Sequence, residues 1–380
     1  MTRRLVHVIT PGDHFSPSTG SAVPTVVHGL SAATPAGAPR PAVAVARGTY
    51  PDRYTSADVL EYDERPPRRT DRYADLLAAR TLGRRPAAAA RFGAALADQG
   101  AWDPAAVLVH NAPQGVPVVD GARHVPVLYA HNQLLRTYSQ REVRRTLGGA
   151  ARIVCVSEFL AGATADYLPP GLRDRVAVVR NGVDTDAFRP PPHWERRDRL
   201  EVTFVGRMLR DKGADVLLDA LAALDRPDIH ATLVGSAGFD PHAAPTPYET
   251  EVARSAAALG DRVTRHPFVP RDEVARLLAR ADVVVVPSRW AEPLALTVLE
   301  GMAAGAATVG SAVGGIPEQL GDAGIAVPPD DAGALAEVLG ALADDESLLA
   351  RSRSAAREHA LTRTWHRSYD DLASALAGVL

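Results

Sequence analysis

Glu292 and Glu300 bracket a segment, DVVVVPSRWAEPLALTVLE (282–300), whose residue types could bind a polyhydroxylated anion. Four consecutive valines are too apolar for a half-exposed strand and predict a buried parallel one. Pro287 and Ser288 end it, and Pro293 suits the first turn of a helix predicted over 293–304. At the helical rise, the two glutamates stand roughly 12 Å apart along the axis. That is about the span from hexose to ribose in a nucleotide-sugar. Backbone N–H groups near Leu294, Ala295 and Leu296 would face a diphosphate at the helix N-terminus. The same spacing fits an amphipathic helix with two solvated glutamates, and the pattern alone does not choose.

A second signal comes from the cations. Of 42 Lys plus Arg, one is lysine, Lys212, leaving 42 − 1 = 41 arginines. Lys212 lies in VTFVGRMLRDKGADVLLDAL, where a strand runs through Gly206 and Arg207 into a loop and then a helix. A compact ammonium and a planar guanidinium are not interchangeable, so a site that fits only the former resists replacement. Chance survival of one lysine is the plain alternative. No GxxxxGK[ST] pattern is present, which excludes a phosphate-binding P-loop.

Length and composition bound the rest. A chain of 380 residues exceeds one ordinary core, so two domains are expected. Charged residues at 23% and hydrophobic ones at 46% describe a globular protein. A net charge of −3 argues against a nucleic-acid partner. The single cysteine, Cys155 in RIVCVS, reads as a buried thiol and excludes a disulfide framework. MTRRLVHVIT enters a strand directly, without a leader pattern, and no run reaches membrane-span length, so a cytoplasmic location is expected.

Strands and helices alternate, the pattern of parallel α/β architecture. In the first half, strands are predicted near 4–10, 42–46, 106–110, 125–130, 152–156 and 176–179, with helices near 21–34, 71–99 and 158–167. RPPPHWERRDR (189–199) reads as the linker. The second half repeats the alternation, with strands near 201–205, 229–234, 262–265, 282–286, 306–309 and 324–327. The expected domains are 1–180, a linker over 181–199, 200–362, and a C-terminal helix over 363–380. Open α/β sheets bind ligands at their carboxyl ends. His131 in VLYAHNQL and His110–Asn111 in LVHNAP end strands in that way, with a satisfied structural histidine as the alternative.

The series VVRNGVDTDAF (179–188), FVGRMLRDKG (204–213), LVGS (233–236) and ADVVVVPSRWAEPLALTVLEGMAAGAATVGSAVGGIPE (281–318) resembles the family 4 glycosyltransferases. The likeness implies the GT-B fold, two Rossmann-like doubly wound domains facing a central cleft, with a C-terminal helix crossing back. It implies transfer of a hexose, of glucose or N-acetylglucosamine type, from a UDP-linked donor with retention. The nucleotide-sugar is a substrate, and no cofactor is implied. By resemblance, Arg207 and Lys212 hold the diphosphate, Glu292 the sugar hydroxyls and Glu300 the ribose. Gly206, Gly235 and the pair Gly314–Gly315 bring backbone close to the donor, and Val269 and Arg271 match a loop that cradles the nucleobase. His131 is implied beside the reacting centre as a positioning group, with His110, Asn111 and Asn132 on the acceptor side. The chain departs from the family pattern twice. EPFG reads EPLA at 292–295, and only Gly20 in SPSTGSAVP matches the glycines expected after the first strand.

Alternatives remain at this level: an epimerase of UDP-N-acetylglucosamine, a phosphorylase, or a non-catalytic nucleotide-sugar-binding homologue. Asp184-Thr185-Asp186 matches the DxD pattern of metal-dependent transferases, but by resemblance it falls in an interdomain loop, and no metal is needed if Arg207, Lys212 and the helix N-terminus hold the diphosphate. LLRTYSQREVRRTL (134–147) fits peripheral contact with an anionic lipid, an acidic acceptor, or an ordinary solvated helix face. The arginine bias points to an actinobacterial coding sequence, and with it a natural-product or cell-envelope acceptor. Oligomeric state is not legible.

Overall fold

Runs of small and β-branched residues become the inner strands of two sheets in the computed structural model, which describes residues 3–64, 66, 68–194, 197–238 and 243–379. The chain divides into two units, Met1–Asn181 with Trp365–Leu380, and Gly182–Thr364. The first carries a seven-stranded parallel sheet. Its strands are β1 (Arg4–Val8), β2 (Ala42–Ala46), β3 (Asp58–Tyr62), β4 (Ala105–His110), β5 (Val125–Ala130), β6 (Arg152–Cys155) and β7 (Val176–Val178). They lie in the order β3-β2-β1-β4-β5-β6-β7. Every residue of β2, β4 and β5 is buried, as expected where helices cover both faces of a parallel sheet.

The second unit holds β8 (Leu200–Val205), β9 (Ile229–Val234), β10 (Val263–His266), β11 (Val283–Val286), β12 (Ala307–Ser311) and β13 (Ile325–Val327). Their order is β10-β9-β8-β11-β12-β13, again all parallel. In both sheets the order reverses beside the first strand, between β1 and β4 and between β8 and β11. Ligand crevices form outside the carboxyl ends of strands at such switch points.

Three expectations need correction. The helix read over 71–99 is two, Asp71–Leu82 and Pro86–Ala95, because Gly83 turns left-handed (φ 63°) and Pro86 starts a new helix. The strand β3 was not foreseen; its sequence DVLEY lies at the sheet edge and is only partly buried. The Pro-rich stretch 189–199 is not a free connection. Trp194 Nε1 donates to Asp282 Oδ1 at 2.8 Å and its ring carries Arg353 at 4.4 Å, which seats it on the second unit. Residues 195 and 196 lie outside the described residues. The terminal helix Trp365–Leu376 packs within the first unit, where the Trp365 ring occupies the space a side chain at Gly29 would need.

Candidate functional site

The loops that leave β8 and β11 at the switch point of the second sheet are bound to each other. Arg289 N and Trp290 N donate to Asp211 O at 2.9 and 3.3 Å, and Arg289 Nη1 donates to Arg210 O at 3.0 Å. The Arg289 guanidinium also forks onto Asp215, at 2.7 and 3.0 Å, and Asp215 accepts from the Tyr248 hydroxyl at 2.7 Å. Planar bidentate pairs of this kind fix geometry as well as charge. Gly213 completes the join, since at φ 73° an added Cβ would stand 2.0 Å from Pro287 O. Sequence reading missed Arg289; one arginine among 41 carries no signal of its own.

This join sets Lys212 against Glu292. Lys212 Nζ donates to Glu292 Oε1 at 2.6 Å, and Ser288 Oγ donates to the same oxygen at 2.6 Å. Glu292 is 6% exposed, so its charge is compensated rather than solvated. Among the described residues, no hydrogen bond within the chain engages Glu292 Oε2. Trp290, 40% exposed, lies beside the ammonium with its ring centre 5.7 Å from Nζ. Behind Glu292 the glycine pair leaves no room for side chains. A Cβ on Gly314 would stand 2.4 Å from Glu292 O, and one on Gly315 2.1 Å from Pro293 O, while Gly315 N donates to Glu292 O at 2.7 Å.

That clamp also explains a misplaced boundary. The helix expected from 293 begins at Leu296, and Ala295 is extended at φ −86°, ψ 108°. The roughly 12 Å helical spacing of Glu292 and Glu300 therefore does not apply, because residues 292–295 lie outside the helix. The free N-terminus survives three residues further on. Among the described residues, the N–H groups of Leu294, Ala295 and Leu296 donate to no other backbone carbonyl. Glu300 is buried on this helix and accepts from Arg271 Nη2 at 2.6 Å, while the Arg271 guanidinium lies 5.5 Å from the Phe188 ring centre. Val269 precedes Arg271 on the loop after β10 and is half-buried.

Gly206 and Gly235 meet backbone to backbone, since a Cβ on Gly235 (φ 133°) would stand 2.0 Å from Gly206 O. Arg207 is exposed and donates to Ala237 O through Nε at 3.1 Å and Nη2 at 2.9 Å. Lys212, Glu292, Glu300, Arg271, Val269 and the residues 294–296 thus all sit at the carboxyl side of one sheet.

The remaining expected residues belong to the first unit. His131 follows β5, is 8% exposed, and its N–H donates to Asn111 Oδ1 at 2.8 Å. Asn111 holds φ 53°, a left-handed conformation that asparagine tolerates. His110 Nδ1 contacts His131 Nε2 at 2.8 Å, and His7 Nδ1 contacts His110 Nε2 at 2.9 Å. Burial pushes His7 and His131 down to about 3 from 6.5, and His110 well below its ordinary value, so all three rings are neutral. His7 was missed. Asn132 is half-buried beside His131, and Gly20 is exposed ahead of the helix Ala22–Ala32.

Two sequence motifs have local roles. Asp184 Oδ1 accepts from Asp186 N at 3.0 Å and Ala187 N at 2.9 Å, so the DxD aspartate caps its own turn. Among the described residues no cluster of three or more His, Cys, Asp or Glu is placed to hold a metal. In the basic stretch, Arg141 and Arg145 donate to the carbonyls of Thr81 and Leu82, which end the helix Asp71–Leu82. Glu142 there is buried and paired with Arg85 at 2.5 Å.

Two family descriptions divide the chain between them. Glycosyltransferase Family 4 matches residues 6–187, and Glycosyl transferases group 1 matches residues 189–359. The chain belongs to the family 4 glycosyltransferases. The D-inositol 3-phosphate glycosyltransferase 1 of Catenulispora acidiphila is 30% identical over 280 residues, covering 68% of this chain and 66% of that one. Spore coat protein SA of Bacillus subtilis is 32% identical over 236 residues, covering 56% and 62%. The match thus spans less than two thirds of either relative's length. In fold, the chain is similar to Anabaena HepE, solved in complex with UDP and glucose, with a TM-score of 0.72 over 99% of this chain and 100% of that one at 19% identity. The two parallel-sheet Rossmann-like units are those of the GT-B class. Within this family-4 chain no helix of the described residues is long and apolar enough to cross a membrane.

Proposed function

We propose that the protein is a retaining glycosyltransferase that moves a hexose, of glucose or N-acetylglucosamine type, from a UDP-linked sugar to a small-molecule or cell-envelope acceptor without a metal ion. The observation that carries this reading is the convergence of Lys212 Nζ and Ser288 Oγ on Glu292 Oε1, 2.6 Å each. It leaves Oε2 to accept from a sugar hydroxyl and sets a cation beside it. The UDP and glucose bound to Anabaena HepE support a donor of the same class.

As the bond from the anomeric carbon to the diphosphate breaks, negative charge grows on the leaving oxygens. Lys212, Arg207 and the N–H groups at Leu294–Leu296 stabilise that charge. Glu300 takes the ribose hydroxyls, and Val269 and Arg271 line the nucleobase. Gly206, Gly235 and Gly20 admit the donor where a side chain would crowd it. On the first unit, His131 positions the reacting sugar, and His110, Asn111 and Asn132 stand on the acceptor side.

Turnover with a UDP-hexose and a panel of hydroxylated acceptors tests the reading. Lys212→Ala and Glu292→Ala each lower transfer by around 10²–10³, the loss typical of one preorganised electrostatic contact. Normal transfer by both variants overturns the assignment. Sugar released or epimerised without an acceptor points to the epimerase class, and tight nucleotide binding without any turnover to a non-catalytic homologue.

A further inference from the structure

The three mutually contacting histidines, His7, His110 and His131, lie on one face of the first unit's sheet by strand register. His7 of β1 stands opposite Leu108 of β4, and His110 of β4 stands opposite Tyr129 of β5. Side chains two residues apart on a strand share a face, so His7, His110, Tyr129 and His131 step diagonally across β1, β4 and β5 toward the carboxyl edge. Tyr129 stacks on both His110 and His131 with ring centres 4.9 Å away in each case. The rings are thereby held in near-parallel planes, at 17° and 14°.

Two nitrogen-to-nitrogen contacts join the rings, and each needs one proton: two would repel, and none would leave facing lone pairs. Three neutral rings satisfy both contacts in two ways only. Either every ring carries its proton on Nδ1, or every ring carries it on Nε2. The first arrangement ends in a bare lone pair on His7 Nε2, the second in an N–H there. That atom is fully buried and meets no hydrogen-bond partner among the described residues. Among buried backbone groups an N–H without an acceptor is rarer than a carbonyl with an unused lone pair, and the same asymmetry, carried over to the imidazole, favours the first arrangement. The tautomer of an imidazole follows from the bond its inner nitrogen makes.

We propose that His7 and His110 are positioning residues that hold His131 in the Nδ1–H tautomer, so that it meets substrate as a neutral hydrogen-bond donor to an oxygen. His131 Nε2, the only nitrogen with a lone pair, is turned inward and occupied. The ring therefore serves neither as general base nor as nucleophile. This role rests on the transferase reading, but the tautomer does not.

The test is a long-range 1H–15N correlation spectrum of the full chain labelled with 15N-histidine at neutral pH, with His131 signals identified by their loss in His131→Gln. Nδ1 protonated and Nε2 bare on His7, His110 and His131 alike is the expected pattern. His110→Phe removes the inner partner, and His131 then shifts from one tautomer to a mixture. An Nε2–H tautomer on His131, a different pattern among the three rings, or a His131 unchanged in His110→Phe overturns the relay. If His110→Phe does not fold, the three-ring pattern of the natural chain decides alone. Since no substrate is present, a failure to bind nucleotide-sugar leaves this result standing and defeats only the transferase reading.

Discussion

At the scale of single residues, compensation of buried charge governs what each group can do. Glu292 and Glu300 are both nearly buried, and each has one cationic partner at 2.6 Å. Removing one partner of such a pair costs more than the pair contributes, because it strands the other charge. The histidines solve the same problem by staying neutral, which has a consequence for stability. An unfolded histidine takes up a proton near 6.5, whereas burial lowers that point to about 3 for folded His7 and His131. Between these values the unfolded chain binds more protons, so stability falls as the pH drops through 6.5 toward 3. Each such ring contributes a slope of at most about 1.4 kcal/mol per pH unit, reached in the middle of that window. Urea midpoints from pH 6.5 to 4.5 should therefore fall less steeply for His7→Phe than for the natural chain. Equal slopes would mean that the ring takes up its proton in the folded state.

Elements decide how much of the site was legible. Residue types and order were enough to single out Lys212, Glu292 and Glu300 as candidates for a donor site. Their geometry was not legible, because Pro293 suits a first helical turn and nothing local announces that Gly314 and Gly315 pack against the carbonyls of Glu292 and Pro293, with the helix starting only at Leu296. His7 was illegible for a related reason: its partners come from β4 and β5, and only strand order shows that these lie on the same side of β1. The edge strand β3 escaped because DVLEY has too few buried residues to stand out. The glycine clamp gives a prediction at this scale. Gly315→Ala forces a methyl to within 2.1 Å of Pro293 O, so backbone must move. A stability loss of about 1–3 kcal/mol follows, as for other overpacked sites, together with weaker donor binding. Gly162→Ala, in the helix Glu158–Ala165 with nothing within 4 Å, is the control and should be neutral or slightly stabilising. Equal urea midpoints for the two variants would contradict the clamp.

For the whole molecule, the alternation of strands and helices was enough to predict two parallel α/β units, since hydrophobic runs bounded by turns survive any detail of sequence. The boundaries were harder. The unit boundary at Asn181–Gly182 lies at the start of the linker expected over 181–199, whereas the proline-rich part of that linker belongs to the second unit, where Trp194 anchors it to Asp282. The terminal helix joins the first unit because the Trp365 ring fills the hollow over Gly29, a pairing that local sequence does not reveal.

The central claim is a metal-free nucleotide-sugar site built from Lys212, Glu292 and Glu300, and thermal unfolding with UDP-, GDP-, ADP- and TDP-sugars in EDTA tests it most directly. A ligand at a hundred times its dissociation constant adds about 2.7 kcal/mol of stability. The account predicts stabilisation by UDP-hexoses without metal, lost in Glu300→Ala. Stabilisation by none of them, or only after a divalent metal is added, would contradict it.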